Sequence, residues 1–157
     1  MFRSYAAVIA LTLSTVSAAF ANTAVDDVTD GAFASRDADG DGHISADEAT
    51  DFAALAFFSM DSNEDARITL AEFQDWDLGF DHLASANDRS EQMASTKKAI
   101  FAQADADNDA RVSMMELKVH VSRDFADADA DGDGQLTRIE ASTGSPWVVS
   151  LVRAAQP

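Results

Sequence analysis

The chain has 157 residues, of which 28 are acidic and 11 are basic, so its formal net charge is −17 at pH 7. This negative surplus argues against nucleic acid and anionic membrane surfaces as partners, and it favours cations or basic peptides. The absence of cysteine excludes disulfide bonds, thiol catalysis and Cys-ligated zinc, while ten Phe and 46% hydrophobic residues allow a hydrophobic core.

The amino terminus has the layout of a secretory signal peptide. Met1-Phe2-Arg3 is a short basic start, residues 4–18 are an apolar run, and Ala19-Phe20-Ala21 is a small-x-small processing site. We expect cleavage after Ala21 and a mature chain with no membrane span, in a bacterial periplasm or secreted. The alternative is an uncleaved membrane anchor, for which the apolar run is shorter than the ~20 residues that span a bilayer.

Four twelve-residue segments with one pattern follow: 37–48, 61–72, 105–116 and 129–140, named here loops one to four. Each has Asp at positions 1 and 5, Asp or Asn at position 3, an aliphatic residue at 8, Ser or Thr at 9 and Glu at 12. A Phe precedes each loop by four residues, one helical turn ahead of its first Asp: Phe33, Phe57, Phe101 and Phe125. Repeats in step with a helical residue predict four helix–loop–helix units.

The oxygen-bearing positions of these loops suit a hard cation. Ca²⁺ takes six to eight oxygen ligands at about 2.3–2.6 Å, so the chain must present alternating side chains and turn sharply in the middle. The candidate ligands are the side chains at positions 1, 3, 5 and 12 and the backbone carbonyl at position 7: Asp37, Asp39, Asp41, His43 and Glu48; Asp61, Asn63, Asp65, Arg67 and Glu72; Asp105, Asp107, Asp109, Arg111 and Glu116; Asp129, Asp131, Asp133, Gln135 and Glu140.

These loops resemble those of the EF-hand calcium-binding family. The resemblance implies an all-α fold of four helix–loop–helix units and Ca²⁺ as the cofactor. Short β-bridges between paired loops are expected at the position 8 residues, which are Ile44, Ile68, Val112 and Leu136. Glu at position 12, with its longer arm, favours seven-coordinate Ca²⁺ over octahedral Mg²⁺.

Two loops depart from the family pattern at position 6. Ala66 and Ala110 replace a Gly at a turn that needs φ > 0, where a residue with a Cβ is strained by ~1–2 kcal/mol. Loop two also has Asn63 where the other loops have Asp. We therefore expect loops one and four to bind Ca²⁺ most tightly, loop three more weakly, and loop two most weakly or not at all.

The short spacing within each half leaves the pairing of the loops open. Residues 46–60 contain no Gly or Pro, so one helix can leave loop one and enter loop two. Fifteen helical residues would hold those loops ~22 Å apart, which favours pairing loop one with four and loop two with three. Two one-turn helices with a tight bend would instead pair each loop with its neighbour.

The predicted organisation is a signal peptide at 1–21, a first half at 22–80, a linker at 81–90, a second half at 91–144 and a C-terminal apolar helix or tail at 145–157. The tail carries an apolar stripe that includes Trp147 and Leu151. We expect it to dock on its own domain; the alternative is a partner-binding or self-inhibiting peptide. Lys97 and Lys98 are expected on a solvated helix face.

The sequence predicts a calcium-binding protein and no enzyme. The loop carboxylates serve as metal ligands, and the chain has no Ser–His–Asp arrangement or Gly-rich phosphate loop. The expected function is Ca²⁺-dependent folding or stiffening of a secreted acidic protein, as a buffer, a structural element or a sensor. One alternative is a calmodulin-like sensor with a protein or peptide partner, and a minor one is a dockerin-like interaction module, although such loops usually end in Asp.

Overall fold

The computed structural model describes residues 24–157, and the predicted signal peptide lies outside the described residues. Within that range the fold is mostly helical, as predicted. The elements in chain order are α1 (24–34), β1 (His43–Ser45), α2 (Ala46–Met60), β2 (Ile68–Thr69), α3 (Leu70–Asp75), α4 (Phe80–Ala86), α5 (Ser90–Ala104), β3 (Arg111–Val112), α6 (Met114–Ala128), β4 (Gln135–Thr137), α7 (Arg138–Thr143) and α8 (Pro146–Ala155).

Two long helices are each shared by two loops. Helix α2 leaves loop one and enters loop two, and α6 leaves loop three and enters loop four, each as 15 unbroken residues. Each begins at a capping box, formed by Ser45 with Glu48 in α2 and by Ser113 with Glu116 in α6. Of the two alternatives for residues 46–60, the structure has the continuous helix.

The loops pair in a nested order. Strand β1 pairs with β4, with Ile44 opposite Leu136, and β2 pairs with β3, with Ile68 opposite Val112. Loops one and four thus form an outer pair, and loops two and three form an inner pair. The alternative pairing of neighbouring loops is wrong, because the shared helices hold those loops at opposite ends of a rod.

Each pair has its own hydrophobic cluster. The Phe and aliphatic residues of the outer pair gather in a small cluster, which contains Phe33, Ile44, Ala49, Phe125, Ala128, Leu136 and Ala141. Phe57, Phe101, Ile68 and Val112 of the inner pair belong to a larger cluster that also includes Phe73, Phe80 and Met93. Helices α2 and α6 pack against each other and connect the two clusters.

The C-terminal helix docks on its own domain, and it does so on the inner cluster although it follows loop four. Val148 and Leu151 are buried there. Both ends of α8 are held: the Asp124 carboxylate accepts hydrogen bonds from the Ser145 hydroxyl and the Trp147 N–H, and Asn87 Nδ2 donates to the terminal carbonyl of Ala155 at 2.8 Å. None of the helices in residues 24–157 is long and apolar enough to cross a membrane.

Two local expectations differ from the structure. Residues 81–90, expected as a linker, contain most of α4, whose Leu83 and Ala84 are buried. The expectation of a solvated Lys97 is wrong, since its side chain is buried. The Lys97 ammonium donates to the carbonyls of Gln74 and Trp76, at 3.0 and 2.6 Å, and to the Asp81 carboxylate. It thereby satisfies carbonyls at the end of α3 that have no partner within the helix.

Candidate metal centres

Backbone N–H groups hold the acidic side chains of loop one in place. Asp37 accepts hydrogen bonds from the N–H groups of Gly40 and Gly42, at 2.9 and 3.1 Å. Asp39 and Asp41 each accept from the N–H two residues further along the chain, at 3.1 and 2.8 Å. Loop four repeats this pattern. In loops two and three, positions 3 and 5 accept as in loop one, but the Asp at position 1 accepts from the N–H groups at positions 5 and 6. The chain therefore wraps around its own carboxylates in all four loops.

The glutamate at position 12 both caps a helix and faces the start of its loop. In loop one, Glu48 Oε2 accepts from the N–H and the hydroxyl of Ser45, both at 2.8 Å, while Oε1 accepts from the Ala38 N–H at 2.9 Å. Hydrogen bonds from the position 9 residue lower the pKa of Glu48 and of Glu72 to about 2, and they also lower the pKa of Glu116 and Glu140. These carboxylates are fixed in position and ionised. The repeated Ser or Thr at position 9 is thus the helix cap.

Three loops gather a set of carboxylates tight enough to hold one cation. In each, ligand oxygens from positions 1, 3 and 12 lie within 4.8 Å of one another: Asp37, Asp39 and Glu48; Asp105, Asp107 and Glu116; Asp129, Asp131 and Glu140. Oxygens on opposite sides of a Ca²⁺ ion are separated by about 5 Å, so this spacing fits a calcium coordination sphere. Loop two forms no such carboxylate set, because Asn63 replaces the acid at position 3.

The predicted ligands at positions 5 and 7 lie outside these sets. The position 5 carboxylates of Asp41, Asp65, Asp109 and Asp133 are exposed and are not members of these sets. The position 7 residues lie at the start of the bridging strands or, for Arg67, immediately before one: His43, Arg67, Arg111 and Gln135. In each loop the N–H at position 7 donates to the carboxylate at position 5.

A second glycine-favouring position was missed by the sequence analysis. Position 4, like position 6, has φ in the left-handed region in every loop. The angles are 75° and 89° at Gly40 and Gly42, 58° and 62° at Glu64 and Ala66, 59° and 66° at Asn108 and Ala110, and 73° and 83° at Gly132 and Gly134. The outer pair therefore has Gly at both turn positions, and the inner pair has Gly at neither. The Gly-x-Gly sequences of loops one and four were the available signal.

An ion pair between loops was also missed. Arg111, at position 7 of loop three, donates from Nη1 to Asp65 Oδ2 of loop two at 2.9 Å. These residues are 46 positions apart in the chain. Their contact depends on the pairing of loop two with loop three, which the sequence left open.

Comparison with known proteins separates loop two from the others. A family model described as EF hand matches residues 30–48, 97–122 and 123–140. These regions contain loops one, three and four, the same three loops that gather a carboxylate set, while loop two lies outside them. A search of curated proteins finds no match to the chain.

Proposed function

We propose that the chain is a calcium-binding protein of the EF-hand family, which binds Ca²⁺ in its acidic loops and becomes more stable when it does. The observation that carries the proposal is the agreement of two features. The family match and the clustered carboxylates fall on the same three loops, 37–48, 105–116 and 129–140. The family is typically a calcium-binding one without enzymatic activity.

Charge neutralisation is the physical reason for stabilisation. If the signal peptide is removed, Arg3 is lost and the chain retains 10 basic and 28 acidic residues, a net charge of −18. Divalent ions would offset part of this repulsion where it is most concentrated. Ca²⁺ at a hundredfold excess over Kd stabilises the folded state by about 2.7 kcal/mol per site. Three such sites would rival the ~5–15 kcal/mol of stability that domains of this kind have.

We favour a structural role for the ions, in a protein exported to the periplasm or the medium. Two features support it: the signal-peptide pattern at residues 1–21, and the inner cluster, whose apolar face is already covered by α8. A calmodulin-like sensor is the second candidate, because Leu55 and Phe58 of α2 are exposed at 69% and 71% on neighbouring turns. A Ca²⁺-dependent increase in the binding of an apolar dye would favour the sensor.

Calorimetric titration with Ca²⁺ and then with Mg²⁺ tests the proposal. We expect three or four Ca²⁺ per chain, weaker or no binding of Mg²⁺, and loss of one site in Glu140→Gln. Glu91→Gln is the matched control, since Glu91 is exposed in α5 and outside every loop. Absence of any binding heat, confirmed by an unchanged melting temperature in Ca²⁺ and in chelator, would refute calcium binding.

A further inference from the structure

We propose that Arg111 is an internal counter-cation of loop two, and that it keeps the Ca²⁺ affinity of this loop below that of loop three. The guanidinium neutralises Asp65, one of only three carboxylates at the predicted ligand positions of loop two. The inference rests on the proposed calcium binding, and it assigns a side-chain role to a residue whose backbone carbonyl alone was expected to matter.

The contact is held by the geometry of the inner pair. In the β2–β3 bridge, Arg111 lies opposite Thr69, so its side chain starts beside loop two. Its Nη1 donates to Asp65 Oδ2 at 2.9 Å, and Asp65 Oδ1 accepts from the Arg67 N–H at the same distance. Both oxygens of Asp65 therefore have a donor from the protein. A bound guanidinium next to a ligand carboxylate repels an incoming Ca²⁺ and weakens the attraction of that carboxylate.

The inner pair is asymmetric in this respect. Arg67 occupies position 7 of loop two, as Arg111 does in loop three, yet within residues 24–157 Arg67 forms no ion pair with Asp109 of the opposite loop. Loop three thus keeps four carboxylates at its ligand positions without a cationic partner from loop two. Loop two has three, and one of them is bound by Arg111.

Other features of loop two are also expected to lower its Ca²⁺ affinity. The Ser62 hydroxyl donates to Glu72 Oε1 at 3.1 Å, where the other loops have a small Ala at this position. Glu64 and Ala66 both have left-handed backbone angles. Arg111 lies outside loop two, so the ion pair can be removed without changing any residue of that loop. It is therefore the feature that an experiment can isolate.

Two charge-matched variants separate this contact from a general charge effect. Arg111→Gln and Arg67→Gln each remove one positive charge from position 7 of an inner loop. Arg67 lies in loop two itself, so if only local charge matters, Arg67→Gln should raise the affinity of loop two at least as much. If the contact matters, Arg111→Gln should have the larger effect, about three- to tenfold in Kd for a partly exposed pair.

The measurement is a Ca²⁺ titration followed by amide NMR signals of each loop. The Ala66 N–H reports on loop two and the Ala110 N–H on loop three, since each donates to the first Asp of its own loop. We expect Arg111→Gln to lower the loop two Kd by at least threefold more than Arg67→Gln does. In the wild-type chain, the Arg111 side-chain Nε–H signal should shift together with Ala66.

The outcomes that overturn the inference differ from failure of the proposed function. Equal effects of the two variants, a loop two that stays empty in Arg111→Gln, or an Arg111 signal that follows Ala110 would each refute the role of Arg111 while other loops still bind Ca²⁺. If no loop amide shifts in the wild-type chain, calcium binding itself fails. Amide dispersion in the metal-free spectra shows whether each variant is folded.

Discussion

The outer and inner loop pairs share one twelve-residue pattern, but they differ in the residues at their left-handed turns and in the size of their hydrophobic clusters. The outer pair has Gly at every left-handed position and a small hydrophobic cluster. The inner pair has Glu64, Ala66, Asn108 and Ala110 at those positions and a large cluster covered by α8. Strained turns are therefore found where packing is extensive, and relaxed turns where it is sparse. We infer that the outer pair depends more strongly on bound ions.

Chelation of Ca²⁺ should have the largest effect, and it should affect the outer pair first. With several sites emptied, we expect the melting temperature to fall by about 10 °C or more. Hydrogen exchange should accelerate at the β1–β4 bridge before it does at the β2–β3 bridge. Uniform acceleration at both bridges would show that the two pairs do not differ in their dependence on the metal.

Removal of a large side chain from the inner cluster should come next. Phe57 is 1% exposed, so Phe57→Ala should lower the free energy of unfolding by about 3–5 kcal/mol. Phe58→Ala is the control. The Phe58 ring is 71% exposed, so we expect the free energy of unfolding to change by less than about 0.5 kcal/mol. Chemical denaturation in excess Ca²⁺ measures both values. Similar values for the two variants would argue against a packed inner cluster.

Replacement of the buried Lys97 should reduce stability by less than the loss of Phe57 does. Lys97→Met should destabilise the fold by ~2–3 kcal/mol, because it leaves the Asp81 carboxylate and the carbonyls of Gln74 and Trp76 without their donor. Lys98→Met removes the same charge from an exposed neighbour and should change stability little. Denaturant titration of the two variants tests the difference, which should vanish if Lys97 is solvated.

Relief of backbone strain in the inner loops should give the smallest effect. Ala110→Gly removes a Cβ from a residue at φ 66° and should increase stability in Ca²⁺ by ~1 kcal/mol, with tighter binding at loop three. The reverse change in the outer pair, Gly134→Ala at φ 83°, should weaken Ca²⁺ binding at loop four by about as much as Ala110→Gly strengthens it at loop three. Titration calorimetry compares the two. Weaker binding by Ala110→Gly would mean that strain does not limit the inner loops.

The sequence predicts those features that depend on short-range spacing. The loops, the continuous helices α2 and α6 and the burial of all four upstream Phe residues follow from patterns within about 15 residues. Nested pairing was one of two alternatives that the sequence left open. Within each loop, the family pattern indicated a left-handed residue at position 6 alone, whereas position 4 is left-handed as well.

Local patterns of this kind do not predict contacts between residues that are far apart in the chain. Lys97 has the composition of a surface residue, and its acceptors lie 16 to 23 positions away along the chain. The stripe on α8 predicted docking, but its position beside loop four gave no indication that it would cover the inner cluster. The Arg111–Asp65 contact requires the loop pairing to be known first. In each case tertiary structure supplies the partner.

The nested pairing has a consequence for the order of folding. The β2–β3 bridge joins residues 44 positions apart, Ile68 and Val112, whereas the β1–β4 bridge joins Ile44 and Leu136, which are 92 positions apart. Closing the larger loop first would cost about 0.7 kcal/mol more in chain entropy. Once the inner bridge forms, α2 and α6 bring the outer loops together as the ends of two rods. We expect the chain to close from its middle outward, so that loop one, synthesised first, is completed last.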